Sequence, residues 1–128
     1  MRYFCDRSLG RRIPRELRVR GIDAVAHDDF FAQNEPDEGW LASVGQRGWI
    51  VLTKDDYIRY RAAERQAMLL YNVGCFVLMR RNDTSEQLLV TLAAAWDKIE
   101  GTITSDVRPF LYAIYKDGSI YKRDLPKL

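Results

Sequence analysis

The chain has 128 residues, 47% of them apolar, and a formal net charge of +2. This is enough apolar material for one continuous core, so a single domain over residues 1–128 is expected. No segment repeats or is of low complexity, and no apolar run approaches the roughly 20 residues that span a bilayer, which excludes a repeat array and a membrane-spanning helix.

Met1-Arg2 leads straight into strand formers and then arginines, unlike a signal peptide, so a soluble cytoplasmic protein is expected. Residues 2–6 read as a strand. A helix follows, with Leu9, Ile13 and Leu17 as its apolar stripe, Pro14 early enough to be tolerated, and Gly21 closing it. Asp23–Ala26 forms a second short strand, and His27 to Glu35 a polar loop. Pro36 opens a helix whose inward face is Trp40, Leu41 and Val44, ended by Gly45 and Gly48. Ile50-Val51-Leu52 is a strand covered on both faces. A helix is predicted from about Tyr57 to Asn72, a strand over Cys75–Met79, and a helix from Thr84 to about Lys98 whose Thr84 and Gln87 have capping-box spacing. Pro109–Tyr115 and Ser119–Lys122 flank Asp117-Gly118, which suits a two-residue hairpin turn.

Strands and helices alternating in this way imply parallel pairing through right-handed crossovers. The expected fold is α/β: a small doubly wound, mostly parallel sheet flanked by helices, with a C-terminal β-hairpin. Its core would lie in residues 1–80, with residues 81–128 adding the last helix and the hairpin.

In such sheets ligands bind beyond the carboxyl ends of the strands, where strand order reverses. An order 2-1-3-4 would set Asp6, after the first strand, beside Asp55, after Thr53-Lys54 at the end of the third. Asp37 begins the helix that leads into the third strand, and the loop before it decides whether it faces the same crevice. Clustered carboxylates repel unless some are protonated or a cation lies between them, and oxygen-only ligation suits Mg²⁺ or Mn²⁺. Such an ion would serve phosphodiester hydrolysis. Helix starts also gather acids at this edge without any function, and Asp56 and Glu38 fit that description.

The segments Phe4-Cys5-Asp6 with Leu9-Gly10, Pro36 to Ala42, and Gly48 to Tyr57 with its Thr53-Lys54-Asp55 run resemble the PIN-like nuclease superfamily and, within it, small proteins related to VapC-type toxins. The resemblance covers roughly the first eighty residues. It implies that Asp6, Asp37 and Asp55 are catalytic acids holding Mg²⁺ or Mn²⁺, with Asp56 and Glu38 as supporting acids. It also implies an endoribonuclease acting on RNA, neutralised by a partner antitoxin, in a group whose members often form homodimers. Many relatives carry a further acid on an earlier helix, for which Glu16 is the early candidate here.

Charge is unevenly spread: Arg7, Arg11, Arg12, Arg15, Arg18 and Arg20 crowd the first helix. Arg11, Arg15 and Arg18 share a side that could bind an RNA backbone or be a solvated face. Arg7 adjoins Asp6, and one of Arg59, Arg61 and Arg65 could point into the site, with Arg59 taken as a supporting residue. His27, the only histidine, is read as structural or solvent-exposed, Cys5 and Cys75 as buried reduced thiols, and the tyrosines of the terminal hairpin as packing groups. Two further readings compete with the nuclease: a non-catalytic module binding protein or RNA, and a receiver-like phosphoacceptor, which lacks its acid pair because Arg7 follows Asp6.

Overall fold

The computed structural model describes residues 1–79 and 82–125, so the expected junction between residues 80 and 81 lies outside the described residues. Six strands form one sheet in the order β2-β1-β3-β4-β5-β6. They are β1 (Tyr3–Cys5), β2 (Ala24–Ala26), β3 (Ile50–Thr53), β4 (Gly74–Leu78), β5 (Phe110–Ile114) and β6 (Ile120–Arg123). The first five run parallel and β6 pairs antiparallel with β5, giving the expected doubly wound sheet with a terminal hairpin.

Four α-helices cover the sheet: α1 (Arg12–Val19), α2 (Asp37–Gln46), α3 (Ala62–Leu70) and α4 (Ser85–Ser105). Side chains alternate between faces along each strand. Tyr3, Cys5, Ile50, Leu52, Phe76 and Leu78 therefore pack with Ile13, Leu17, Leu88 and Leu92 of α1 and α4. Phe4, Val51, Cys75, Val77 and Leu111 pack on the other side with Trp40, Leu41, Val44 and Met68 of α2 and α3. Both cysteines are free and buried, and burial pushes each thiol up, Cys5 to about 12.

Several boundaries differ from expectation for identifiable reasons. The first helix splits into a 3-10 turn (Arg7–Leu9) and α1, with Gly10 between them at φ 76. A continuous helix would place Pro14 in its interior, where the missing N–H and the ring disrupt it; starting at Arg12 puts Pro14 in the first turn. Gly45 does not end α2 but lies inside it, where a Cβ would stand 2.5 Å from the Tyr71 carbonyl oxygen, so its role is close approach to the chain after α3. Helix α4 runs seven residues past Lys98, because Ile99 and Thr102 continue its buried stripe and the Thr102 hydroxyl donates to the Lys98 carbonyl at 2.8 Å. The hairpin loop has three residues, Lys116 to Gly118: Tyr115 N–H donates to the Ser119 carbonyl at 2.9 Å, and Gly118 takes φ 85.

The helix expected over 57–72 is also broken. A 3-10 turn (Asp56–Arg59) is followed by Tyr60, then by Arg61 in an extended conformation (φ −80, ψ 126), before α3 begins. No glycine or proline marks this break. Its consequence lies in where it sends the Arg61 side chain.

Candidate active site

Register sets the centre of the site. Phe4 pairs with Val51 and Cys5 with Leu52, and the Asp6 N–H extends the ladder by donating to the Leu52 carbonyl at 3.0 Å. Asp6 and Thr53 therefore sit side by side, each two residues beyond a side chain on the α2–α3 face. Thr53 is fully buried. Its hydroxyl donates to Asp6 Oδ2 at 2.7 Å, and Ser8 Oγ donates to the same oxygen at 3.1 Å. The Asp55 N–H donates to Thr53 Oγ1 at 3.0 Å and the Lys54 N–H to Ser8 Oγ at 3.2 Å, so two hydroxyls tie the ends of β1 and β3 together.

Burial pushes the Asp6 carboxyl above the ordinary range; the two hydroxyls draw it back, and the charge of Asp37 raises it again. Asp37 opens α2, where its Oδ1 accepts a 2.9 Å hydrogen bond from the indole N–H of buried Trp40. Asp55 accepts from the Tyr57 N–H at 3.1 Å, capping the 3-10 turn. Glu64, nearly buried on α3, is a fourth acid at this edge; burial raises its pKa, as do the charges of Asp37 and Glu38, while Arg61 lowers it.

Arg61 stands among these acids. Its Nη1 lies 2.6 Å from Asp55 Oδ2, 3.9 Å from Asp37 Oδ2 and 4.0 Å from Glu64 Oε1. A cleft of about 270 Å³ lined by Asp6, Ser8, Lys54, Asp55 and Arg61 opens here.

Asp6, Asp37 and Asp55 thus come to one edge, with Asp6 coupled electrostatically to Asp37 and Arg61 bridging Asp37 and Asp55. In this arrangement, no three His, Cys, Asp or Glu side chains among the described residues stand close enough together to hold a metal ion. The positive charge between Asp37, Asp55 and Glu64 belongs to Arg61. The donor set is nonetheless all oxygen, and its mutual repulsion is what a hard divalent cation relieves, so these residues fit Mg²⁺ or Mn²⁺ in kind.

Asp56 is half-buried at the start of its 3-10 turn, and Glu38 is exposed on α2. Arg59 turns to Tyr60, donating to its hydroxyl with the guanidinium 4.4 Å from the ring centroid, so Arg61 and not Arg59 reaches the acids. Arg7 donates to the Gln33 carbonyl at 2.7 Å and faces Asp28 at 3.7 Å. Among the helix-side arginines, Arg11 pairs with Asp28 at 3.2 Å and Arg18 donates to the Ala24 carbonyl at 3.0 Å, while Arg15 is exposed. Glu16 is half-buried on α1.

His27 is buried against Phe4, Phe31 and Trp40, with Nδ1 3.1 Å from Asp28, a structural placement. On the hairpin Tyr112 packs between Phe76 and Phe110 and donates to Asp106 at 2.6 Å, which Lys122 also approaches at 2.9 Å. Ser8, Thr53 and Glu64 were missed as site residues. The parity of Thr53 with Asp6 on one face is the signal that could have shown the first pairing.

The sequence profile of the PIN like domain family matches residues 1–80, which run from β1 through β4. The chain belongs to that family. It is 30% identical over 117 residues to "Putative ribonuclease VapC45" of Mycobacterium tuberculosis strain H37Rv, a match covering 88% of this chain and 84% of that protein. No solved structure matches the chain significantly. No helix among the described residues is long and apolar enough to cross a membrane.

Proposed function

We propose that this protein is a Mg²⁺- or Mn²⁺-dependent endoribonuclease of the VapC toxin type, with Asp6, Asp37 and Asp55 as the ligands of the ion and Asp56 and Glu38 as outlying acids. The observation that carries this reading is the Asp6 carboxylate, half-buried at the end of β1, held by two hydroxyls and lining one cleft with Asp55. The family match and the ribonuclease name of its relative support it. Burying a carboxylate among other carboxylates is costly unless a cation compensates it.

When bound, a divalent ion supplies Lewis acidity toward a phosphate oxygen and a water acidic enough to attack near neutral pH. The protein's own part is positioning. Hydrogen bonds from Thr53 and Ser8 favour the ionised form of Asp6 against its burial and fix its direction, the Trp40 indole orients Asp37, and the Tyr57 N–H orients Asp55. Arg11, Arg15 and Arg18 give the α1 side a positive field that attracts an RNA backbone. The same reading carries a single domain over the whole chain, a cytoplasmic setting, a partner antitoxin and a homodimeric assembly.

Asp6→Asn and Asp55→Asn proteins, verified as folded by circular dichroism, should cleave RNA no faster than a metal-free control when Mn²⁺ is supplied. Undiminished cleavage by either variant would remove the mechanism. A wild-type protein that binds RNA and leaves it uncleaved whichever divalent ion is supplied would favour the non-catalytic module.

A further inference from the structure

The break between the 3-10 turn and α3 has no glycine or proline to explain it, yet it turns Arg61 toward Asp55, Asp37 and Glu64. We propose that Arg61 is a displaceable counter-cation: its guanidinium compensates Asp55 and Asp37 until a divalent ion held by these two and Asp6 replaces it there, and is thereby freed to hold the scissile phosphate. This rests on the metal-dependent reading above and extends it to a residue outside the ligand set.

Three observations carry the proposal. The guanidinium is centred on Asp55, with Nη1 at 2.6 Å and Nη2 at 3.5 Å from its two oxygens, so a forked contact is already formed. Asp37 and Glu64 lie at the outer limit of ion pairing, at 3.9 and 4.0 Å, where a small cation drawing the acids inward would compete with it directly. The Arg61 side chain is 45% exposed. Exposed ion pairs are weak, so displacing this one opposes metal binding only slightly. Once released, the arginine remains at the wall of the cleft that Asp6 and Asp55 line. A planar guanidinium matches two phosphate oxygens as it matches two carboxylate oxygens.

The test is Mn²⁺ titration of the whole protein by calorimetry, with Arg61→Gln and Arg61→Lys as variants, followed by RNA cleavage at saturating Mn²⁺. Competition predicts that Arg61→Gln binds Mn²⁺ about 2- to 5-fold more tightly than wild type, the factor an exposed ion pair supplies. Arg61→Lys, which keeps the charge and loses the fork, should bind Mn²⁺ near the wild-type affinity. Both variants should cleave RNA more slowly once metal is saturating. Equal or weaker Mn²⁺ binding by Arg61→Gln would overturn the competition, and unchanged cleavage would overturn the phosphate role. If neither wild type nor Arg61→Gln takes up Mn²⁺, the metal-dependent reading falls with the proposal; if both take it up equally, only the role of Arg61 falls.

Discussion

Thr53→Val tests how the buried centre is held. Valine keeps the shape of threonine but removes a hydroxyl that donates to Asp6 at 2.7 Å and accepts from the Asp55 N–H at 3.0 Å, at a position with no exposed surface. A hydrogen bond to a charged group contributes about 1.5–3 kcal/mol, and a buried N–H left without a partner costs about 1 kcal/mol or more. The expected loss is about 2–4 kcal/mol. For a chain of this length that lowers the thermal midpoint by on the order of 10 °C. Thr53→Ser keeps the hydroxyl and loses one methyl, so it should cost only about 1 kcal/mol. The bond to Asp6 favours the ionised carboxylate, so the difference between the two variants should be wider at pH 7 than at pH 4. Thermal denaturation at both pH values gives stability, and RNA cleavage reports on the site. A Thr53→Val protein as stable and as active as Thr53→Ser at pH 7 would refute the idea that this hydroxyl holds Asp6.

Asp6 and Glu64 both have raised carboxyl pKa values in the fold, so their stabilising effect is complete below the ordinary carboxylate value of about 4 and fades as pH rises through the raised values. Metal-free wild type should therefore lose stability relative to Asp6→Asn between pH 4 and pH 7, and saturating Mn²⁺ should shrink that loss; parallel pH profiles from thermal melts would argue against it. Asp106 behaves oppositely: its hydrogen bonds from Tyr112 and Lys122 lower its pKa to about 2, so its contribution is present above the ordinary value and is lost as pH falls toward 2. Asp106→Asn should accordingly flatten the acid limb of the melting profile, and an unchanged limb would count against this. Gly118→Ala places a Cβ 2.9 Å from the Ala94 carbonyl carbon at a φ of 85, and should cost about 2 kcal/mol in chemical denaturation without changing RNA cleavage.

What was readable in the sequence follows what local patterns encode. The doubly buried runs at Ile50-Val51-Leu52 and Cys75 to Leu78, the capping pair Thr84–Gln87 and the Asp117-Gly118 turn each carry a local physical signal, and the fold follows from their order. Side-by-side placement of Asp6 and the end of β3 was readable too, because parallel crossovers and the 2-1-3 order leave little choice. Helix interruptions were harder to see. Gly10 with Pro14 could have revealed the first, but the break before α3 occurs at Tyr60-Arg61, where nothing in the local sequence opposes a helix and the contact with Asp55 is a tertiary one. The sequence left Arg59, Arg61 and Arg65 open as candidates, with Arg59 named as a supporting residue, and it is Arg61 that the break brings to Asp55. Gly45 misled for a similar reason: a glycine required by a neighbouring chain looks the same in sequence as one that ends a helix.

Crystals soaked in Mn²⁺ and measured at a wavelength where manganese scatters anomalously examine the nuclease reading most directly. Convergence of the three acids on one ion predicts an anomalous peak about 2.1–2.2 Å from carboxylate oxygens of Asp6, Asp37 and Asp55, with the Arg61 guanidinium moved off Asp55. Saturated crystals with no peak at that edge, and Arg61 still in place, would contradict it.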